Sequence, residues 1–193
     1  MTFITLSING FIKFDNTTNT IHTTYGDITF IAGSGGINIG NLQTGVDRQP
    51  KASMINIVAV NGGNINTGYI HSEGGDNAFI GVIADGDLTI NGSVISTTNQ
   101  VPEADFGKAI VCLMASGNIN VNGAVTVEVH GKNATVGDVR ICAGENATVT
   151  GAIDSRANTS QNSSDSTALA SIAVHAGWST TEPGTPGTIT LNG

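Results

Sequence analysis

Leu88-Thr89-Ile90-Asn91-Gly92-Ser93-Val94 is the stretch that decides the fold. Apolar residues alternate with Thr, an Asn-Gly pair interrupts the run, and an apolar residue resumes it. The phrase recurs as Leu6-Ser7-Ile8-Asn9-Gly10-Phe11-Ile12, Ile119-Asn120-Val121-Asn122-Gly123-Ala124-Val125 and Ala147-Thr148-Val149-Thr150-Gly151-Ala152-Ile153. The sequence closes inside a further copy, Ile189-Thr190-Leu191-Asn192-Gly193. Two copies are one residue shorter, Ile37-Asn38-Ile39-Gly40-Asn41-Leu42 and Ile65-Asn66-Thr67-Gly68-Tyr69-Ile70. One such phrase alone reads as a hairpin, since Asn-Gly favours the turn that reverses a strand. A recurring phrase reads differently. Its glycines, Gly10, Gly40, Gly68, Gly92, Gly123 and Gly151, are 30, 28, 24, 31 and 28 residues apart, the period of a solenoid.

A second strand precedes each copy and ends in Ala. Its versions are Ile28–Ala32, Ile55–Ala59, Ile80–Ala84, Val111–Ala115, Val139–Ala143 and Ile172–Ala176. Period-2 alternation rich in Val and Ile predicts strand, and no 3.6-residue pattern competes with it. The repeat thus reads as two strands joined by a Gly-rich link such as Asp85-Gly86-Asp87 or Ser116-Gly117-Asn118, whose residues tolerate a left-handed backbone. Equivalent strands recur in the same order and phase, so parallel stacking places like on like. The predicted fold is all-β: one right-handed parallel β-helix of about six to seven irregular coils over residues 1–193.

Length varies mainly at one corner, after the phrase. The loops there are read as Gly45–Ala52, Ser72–Asn77, Thr98–Lys108, Gly131–Gly137 and Arg156–Thr167, and they hold most of the charges. Residues 1–25 read as an irregular first coil or a cover, 156–167 as a mobile loop and 177–187 as a unique insertion.

Composition narrows the function classes. Charged residues make up 11% and apolar residues 39%, which excludes a largely disordered chain. A net charge of −8 with seven basic residues argues against nucleic acid and against an anionic membrane surface. No apolar run approaches a spanning helix, and the amino-terminal residues lack the charged and apolar regions of a signal peptide. Cys112 and Cys142 fall two residues out of step in equivalent strands, about 8 Å apart on strand geometry, which predicts two unpaired thiols.

Phrases such as Gly26-Asp27-Ile28-Thr29-Phe30-Ile31-Ala32, Gly62-Gly63-Asn64-Ile65-Asn66-Thr67-Gly68 and Ala115-Ser116-Gly117-Asn118-Ile119-Asn120-Val121-Asn122-Gly123 resemble the degenerate repeats of filamentous-haemagglutinin-type exoproteins. The resemblance covers roughly Thr24 to Gly193 as repeat texture. It implies a parallel β-helix shaft, an extracellular or cell-surface location and an adhesive or scaffolding role, and it transfers no catalytic residue. The family's secretion domain is not recognisable here.

The predicted function is therefore a non-enzymatic structural or adhesive segment of a bacterial surface protein or fibre. Expected partners are neighbouring coils of a longer chain, other copies stacked head to tail or laterally, glycans, or a host surface. The alternative is a polysaccharide-binding or -cleaving β-helix of the pectate-lyase or phage-tailspike kind, which needs carboxylates and a basic residue in a groove. Its candidates are Asp85 with Asp87, Glu103 with Asp105, and Arg140 with Arg156. Asp85 and Asp87 read better as corner residues, and Glu103 and Asp105 as solvated ones that could touch a partner or glycan. The histidines His22, His71, His130 and His175 show no metal spacing, Glu73–Ile80 matches a calcium nonapeptide only faintly, and no metal or cofactor is expected.

Two features suggest contacts. Trp178 is the only tryptophan and stands in the unique insertion, where its ring either covers the last coil or meets a sugar or a neighbour. The column Ile31, Val58, Ile83, Met114, Cys142, His175 lies one residue before each terminal small residue, so alternation points it outward. A row of exposed apolar residues calls for a cover, for which Lys13–Tyr25 is a candidate, or for a lateral partner. A second outward row, Ser7, Asn38, Asn66, Thr89, Asn120, Thr148, Thr190, reads as a hydrogen-bonding ladder that stabilises the stack.

Overall fold

Alternating sequence becomes alternating burial. In Val111–Ala115 the residues Val111, Leu113 and Ala115 are buried while Cys112 and Met114 are half-buried on the other face. The computed structural model describes residues 1–5, 7–14, 18–24, 26–45, 52–98, 106–160, 167–177 and 186–193. The first two coils contain β1 (Thr2–Ile4), β2 (Phe11–Lys13), β3 (Thr20–Thr23), β4 (Ile28–Ala32), β5 (Gly36–Asn38) and β6 (Asn41–Thr44). The next two contain β7 (Ser53–Ala59), β8 (Ile65–Thr67), β9 (Ile70–Gly74), β10 (Asn77–Ala84), β11 (Leu88–Ile90) and β12 (Val94–Thr98). Then follow β13 (Phe106–Ala115), β14 (Ile119–Val121), β15 (Val125–Gly131), β16 (Ala134–Ala143), β17 (Ala147–Val149), β18 (Ile153–Thr159), β19 (Thr167–Ala176) and β20 (Ile189–Leu191).

These strands form three parallel sheets. Sheet A is β1-β4-β7-β10-β13-β16-β19, sheet B is β2-β5-β8-β11-β14-β17-β20, and sheet C is β18-β15-β12-β9-β6-β3. Every third strand is a neighbour, which is a right-handed parallel β-solenoid. Six coils have all three strands, and β19 and β20 begin a seventh.

The repeat therefore has three strands, not the two read from the sequence. Asn91-Gly92 bends the chain between β11 and β12, so the residues after the phrase start a new sheet instead of a loop. Ser72–Gly74, Phe106–Lys108, Ala134–Gly137 and Arg156–Thr159, read as loop, are strand. The Leu6 phrase is out of phase: Ser7–Gly10 is not strand, and β2 pairs Ile12 with Ile37 and Lys13 with Asn38. Lys13, not Ser7, thus heads the outward ladder on sheet B. The described part of Lys13–Tyr25 ends in β3, which extends sheet C and does not lie over the apolar column.

The inward side chains make one continuous core. In a single coil Val111, Leu113, Ile119, Val121, Val125, Val127 and Val129 are all fully buried. Each contributes on the order of 1.5–3 kcal/mol. At the amino-terminal end the core is filled by rings: Phe3 stacks on Phe30 with centroids 4.8 Å apart, and Phe14 meets both edge-on. Where sheets A and C converge, the inward residues shrink. Thr44, Ser53 and Ser72 hydrogen-bond to one another there, and Ala78, Ala109 and Ser96 continue the narrow edge.

The corners are glycine-rich for lack of room. Among the described residues only Asn61, Gly26, Gly36, Gly45, Gly62 and Gly177 have positive φ. Gly86 and Gly117 do not, so the left-handed requirement read for those links does not hold. Instead a Cβ on Gly117 would overlap Asp87 Oδ1, and one on Gly123 would lie 2.6 Å from the carbonyl carbon of Gly92 in the coil before it. Glycine stacks on glycine because parallel strands are only about 4.8 Å apart.

Candidate functional site

The three outer faces differ in chemistry although their backbones are alike. On sheet B the outward row Lys13, Asn38, Asn66, Thr89, Asn120, Thr148, Thr190 is in register from coil to coil. An amide ladder runs along it: Asn66 Nδ2 donates to Asn38 Oδ1 at 3.2 Å, Asn91 Nδ2 to Asn66 Oδ1 at 2.7 Å and Asn122 Nδ2 to Asn91 Oδ1 at 3.1 Å. A shallow recess of about 420 Å³ lies here, lined by Asn64, Asn66, Asp87, Thr89 and Asn91. Much of its lining is already engaged in these ladders.

The corner between sheets A and B holds a second ladder. Asn64 Oδ1 accepts the backbone N–H of Asp87 at 2.7 Å, and Asp87 Oδ1 accepts that of Asn118 at 2.7 Å. Asn118 Oδ1 accepts from Asn146 at 3.3 Å, and Asn146 Oδ1 from Thr188 at 3.0 Å. Asp85 joins the same corner, accepting from Gly62 N–H at 2.9 Å and from Ser116 Oγ at 3.1 Å. Both carboxylates are bound to neighbouring coils, as corner residues should be.

The other catalytic candidates do not converge. Arg140 lies on sheet A with its Nε 2.6 Å from Asp138 Oδ2, whereas Arg156 lies on sheet C paired with Asp154. Glu103, Asp105 and Trp178 lie outside the described residues. Among the described residues no cluster of three or more His, Cys, Asp or Glu is arranged to hold a metal, and no helix is long and apolar enough to cross a membrane.

Sheet C presents a titratable face. His22, Gln43, His71, Ile95, Thr126 and Asp154 form one row, and Glu73, Thr97, Glu128 and Arg156 the next. Burial holds the His71 imidazole below its usual range, opposed by the nearby Glu73 carboxylate. His130 sits farther along the strand, its Nε2 3.2 Å from Glu128 Oε1.

Sheet A carries apolar rows on its outer face as well as inside. The predicted column is in register throughout: Ile31 beside Val58, then Ile83, Met114, Cys142 and His175, with Ile4 heading it. Ile83 is 46% exposed, the others half-buried except exposed Ile4 and His175. A second apolar row, Met54, Phe79 and Ile110, runs parallel to it and ends at Asp138. The five-residue strands Ile80–Ala84 and Val111–Ala115 expected from the sequence stop short of this row, because β10 and β13 begin earlier. Continued upstream, the same alternation reaches Phe79 and Ile110. Between the rows Gly81 leaves a gap over which the Phe79 ring lies, since a Cβ there would be 2.7 Å from Phe79 Cε1.

Cys112 and Cys142 open onto this face as free thiols, two residues out of register as read from the sequence. Burial, with Cys142 nearby, pushes the Cys112 thiol above its usual range. The sole described carboxylate pointing outward from sheet A is Asp138, which Arg140 pairs and to which Ser171 Oγ donates at 2.7 Å. No protein-family model, curated protein or solved structure matches the chain.

Proposed function

We propose that this chain is a non-enzymatic shaft module of a bacterial surface protein or fibre, a rigid solenoid that carries adhesive or scaffolding surfaces. One observation supports it above the rest. The polar groups at the repeated corners are spent on the coil-to-coil ladder Asn64–Asp87–Asn118–Asn146, which stiffens a rod and leaves no convergent reactive group there. The resemblance to filamentous-haemagglutinin-type repeats supports the same reading and the extracellular location that goes with it.

The test is protease shaving of intact native cells, followed by detection of the chain. Release from the surface is expected; protection until the cells are lysed contradicts the location. The alternative, a polysaccharide-cleaving β-helix, draws on Asp85 and Asp87 at one corner. A screen on acidic polysaccharides with and without calcium is expected to show no turnover. Turnover abolished by Asp85→Ala would replace the shaft reading with that one.

A further inference from the structure

The outer face of sheet A needs an occupant. Its apolar rows Ile31, Val58, Ile83, Met114 and Met54, Phe79, Ile110 flank a middle row of Thr29, Asn56, Gly81, Cys112 and Arg140. Partly exposed apolar rows gathered on one sheet face mark an association site. The described connections between strands are turns at the corners of the coil, so they do not supply the cover.

Area and charge together identify what does. Seven strands, of three to ten residues each, make the face on the order of 800 Å² at strand spacings of about 4.8 Å and rises of about 3.3 Å. A stable interface takes about 800 Å² from each partner. The chain carries a net charge of −8, so two copies repel wherever their carboxylates face each other. Sheet C presents Glu73, Glu128 and Asp154, and the A–B corner presents Asp85, Asp87 and Glu145. On sheet A the described outward carboxylate, Asp138, is neutralised by Arg140. A cationic partner would find its charges on sheet C or at the corner. An anionic membrane would find few bases, since among the described outward residues of sheet A only Lys108 and Arg140 are Lys or Arg, and Arg140 is paired with Asp138. A second copy meets neither obstacle. It also presents rungs at the same spacing, so side chains of the two faces interdigitate as in any stacked pair of sheets about 10 Å apart.

The geometry points to the outer face of sheet A as a docking surface for a second copy of this chain, sheet A packed on sheet A. The inference goes beyond the shaft reading and does not depend on the cellular location. Lateral pairing would make a two-rod fibre whose acidic faces point outward.

The experiment is sedimentation equilibrium of the purified chain across the micromolar range, with Ile83→Lys and Thr89→Lys beside the wild type. The wild type is expected to form a dimer that tightens as salt is added, because salt screens the residual repulsion. Ile83→Lys should raise the dimer Kd by at least about 30-fold with its circular dichroism unchanged, whereas Thr89→Lys, on sheet B, leaves it within about twofold. A short bismaleimide should join wild-type copies through Cys112 or Cys142, a readout that needs no apolar-face substitution. A wild type that stays monomeric, a dimer weakened equally by both substitutions, or a dimer that resists the crosslinker would overturn the proposal. None of these results touches the shaft reading, which is tested separately by protease shaving of intact cells.

Discussion

Sheets A and C share a backbone, a parallel register and a core, yet their outer faces are opposites. Sheet A shows Ile31, Val58, Ile83, Met114 and Phe79; sheet C shows His71, Glu73, Glu128, Asp154 and Arg156. The scaffold dictates what points inward, and outward positions are free to carry function. Persistent apolar residues on one outer face, against polar ones on another, are therefore the informative departure.

Substitutions can separate scaffold from surface, and the largest effects belong to the scaffold. Leu113 is fully buried, and Leu113→Asp would place a charge among aliphatic side chains with no partner. The chain is expected not to fold, while Met114→Asp, one residue away and outward, should retain its circular dichroism. If the two behave alike, the inward and outward assignments are wrong. Gly123→Val comes next, because its side chain meets the backbone of the preceding coil. A loss of about 2–4 kcal/mol in urea unfolding is expected, with sheets A and C equally affected. Asn118→Ala removes two donated and two accepted hydrogen bonds from the corner ladder and should cost about 1–2 kcal/mol by the same measurement.

The smallest effect is a pH dependence confined to sheet C. Burial lowers the folded-state pKa of His71, so the unfolded chain takes up the proton first as pH falls. The stability that neutral His71 contributes is fully present above the usual imidazole pKa of about 6.5 and is lost as pH falls through the lowered value. His71→Gln should flatten that part of the Tm-against-pH curve measured calorimetrically, and an unchanged slope would assign the dependence to other groups.

How much of this was legible follows from side-chain size. Where inward residues are Ile, Leu and Val, as at Ile80, Val82, Leu88 and Ile90, alternation located strands and register to the residue. The Ile31-to-His175 column was readable for the same reason. Sheet C was not, because at the narrow edge its inward residues are Thr44, Ser72, Ser96 and Ser155, and hydroxyls erase the hydrophobic alternation. The Leu6 phrase misled in the opposite way: its alternation is complete, but Asn9-Gly10 precedes β2 instead of following a strand. The corner glycines were recognised correctly as corners and explained by the wrong cause, since the packing of Asp87 against Gly117 is a contact between coils that one repeat cannot display.

Hydroxyl-radical footprinting read by mass spectrometry, at dilute and concentrated protein, compares the two faces in one experiment. The account predicts that oxidation of Met54, Phe79, Cys112 and Met114 on sheet A falls as concentration rises while that of His71 and His130 on sheet C stays constant. Protection that appears on sheet C, or equally on both faces, would contradict it.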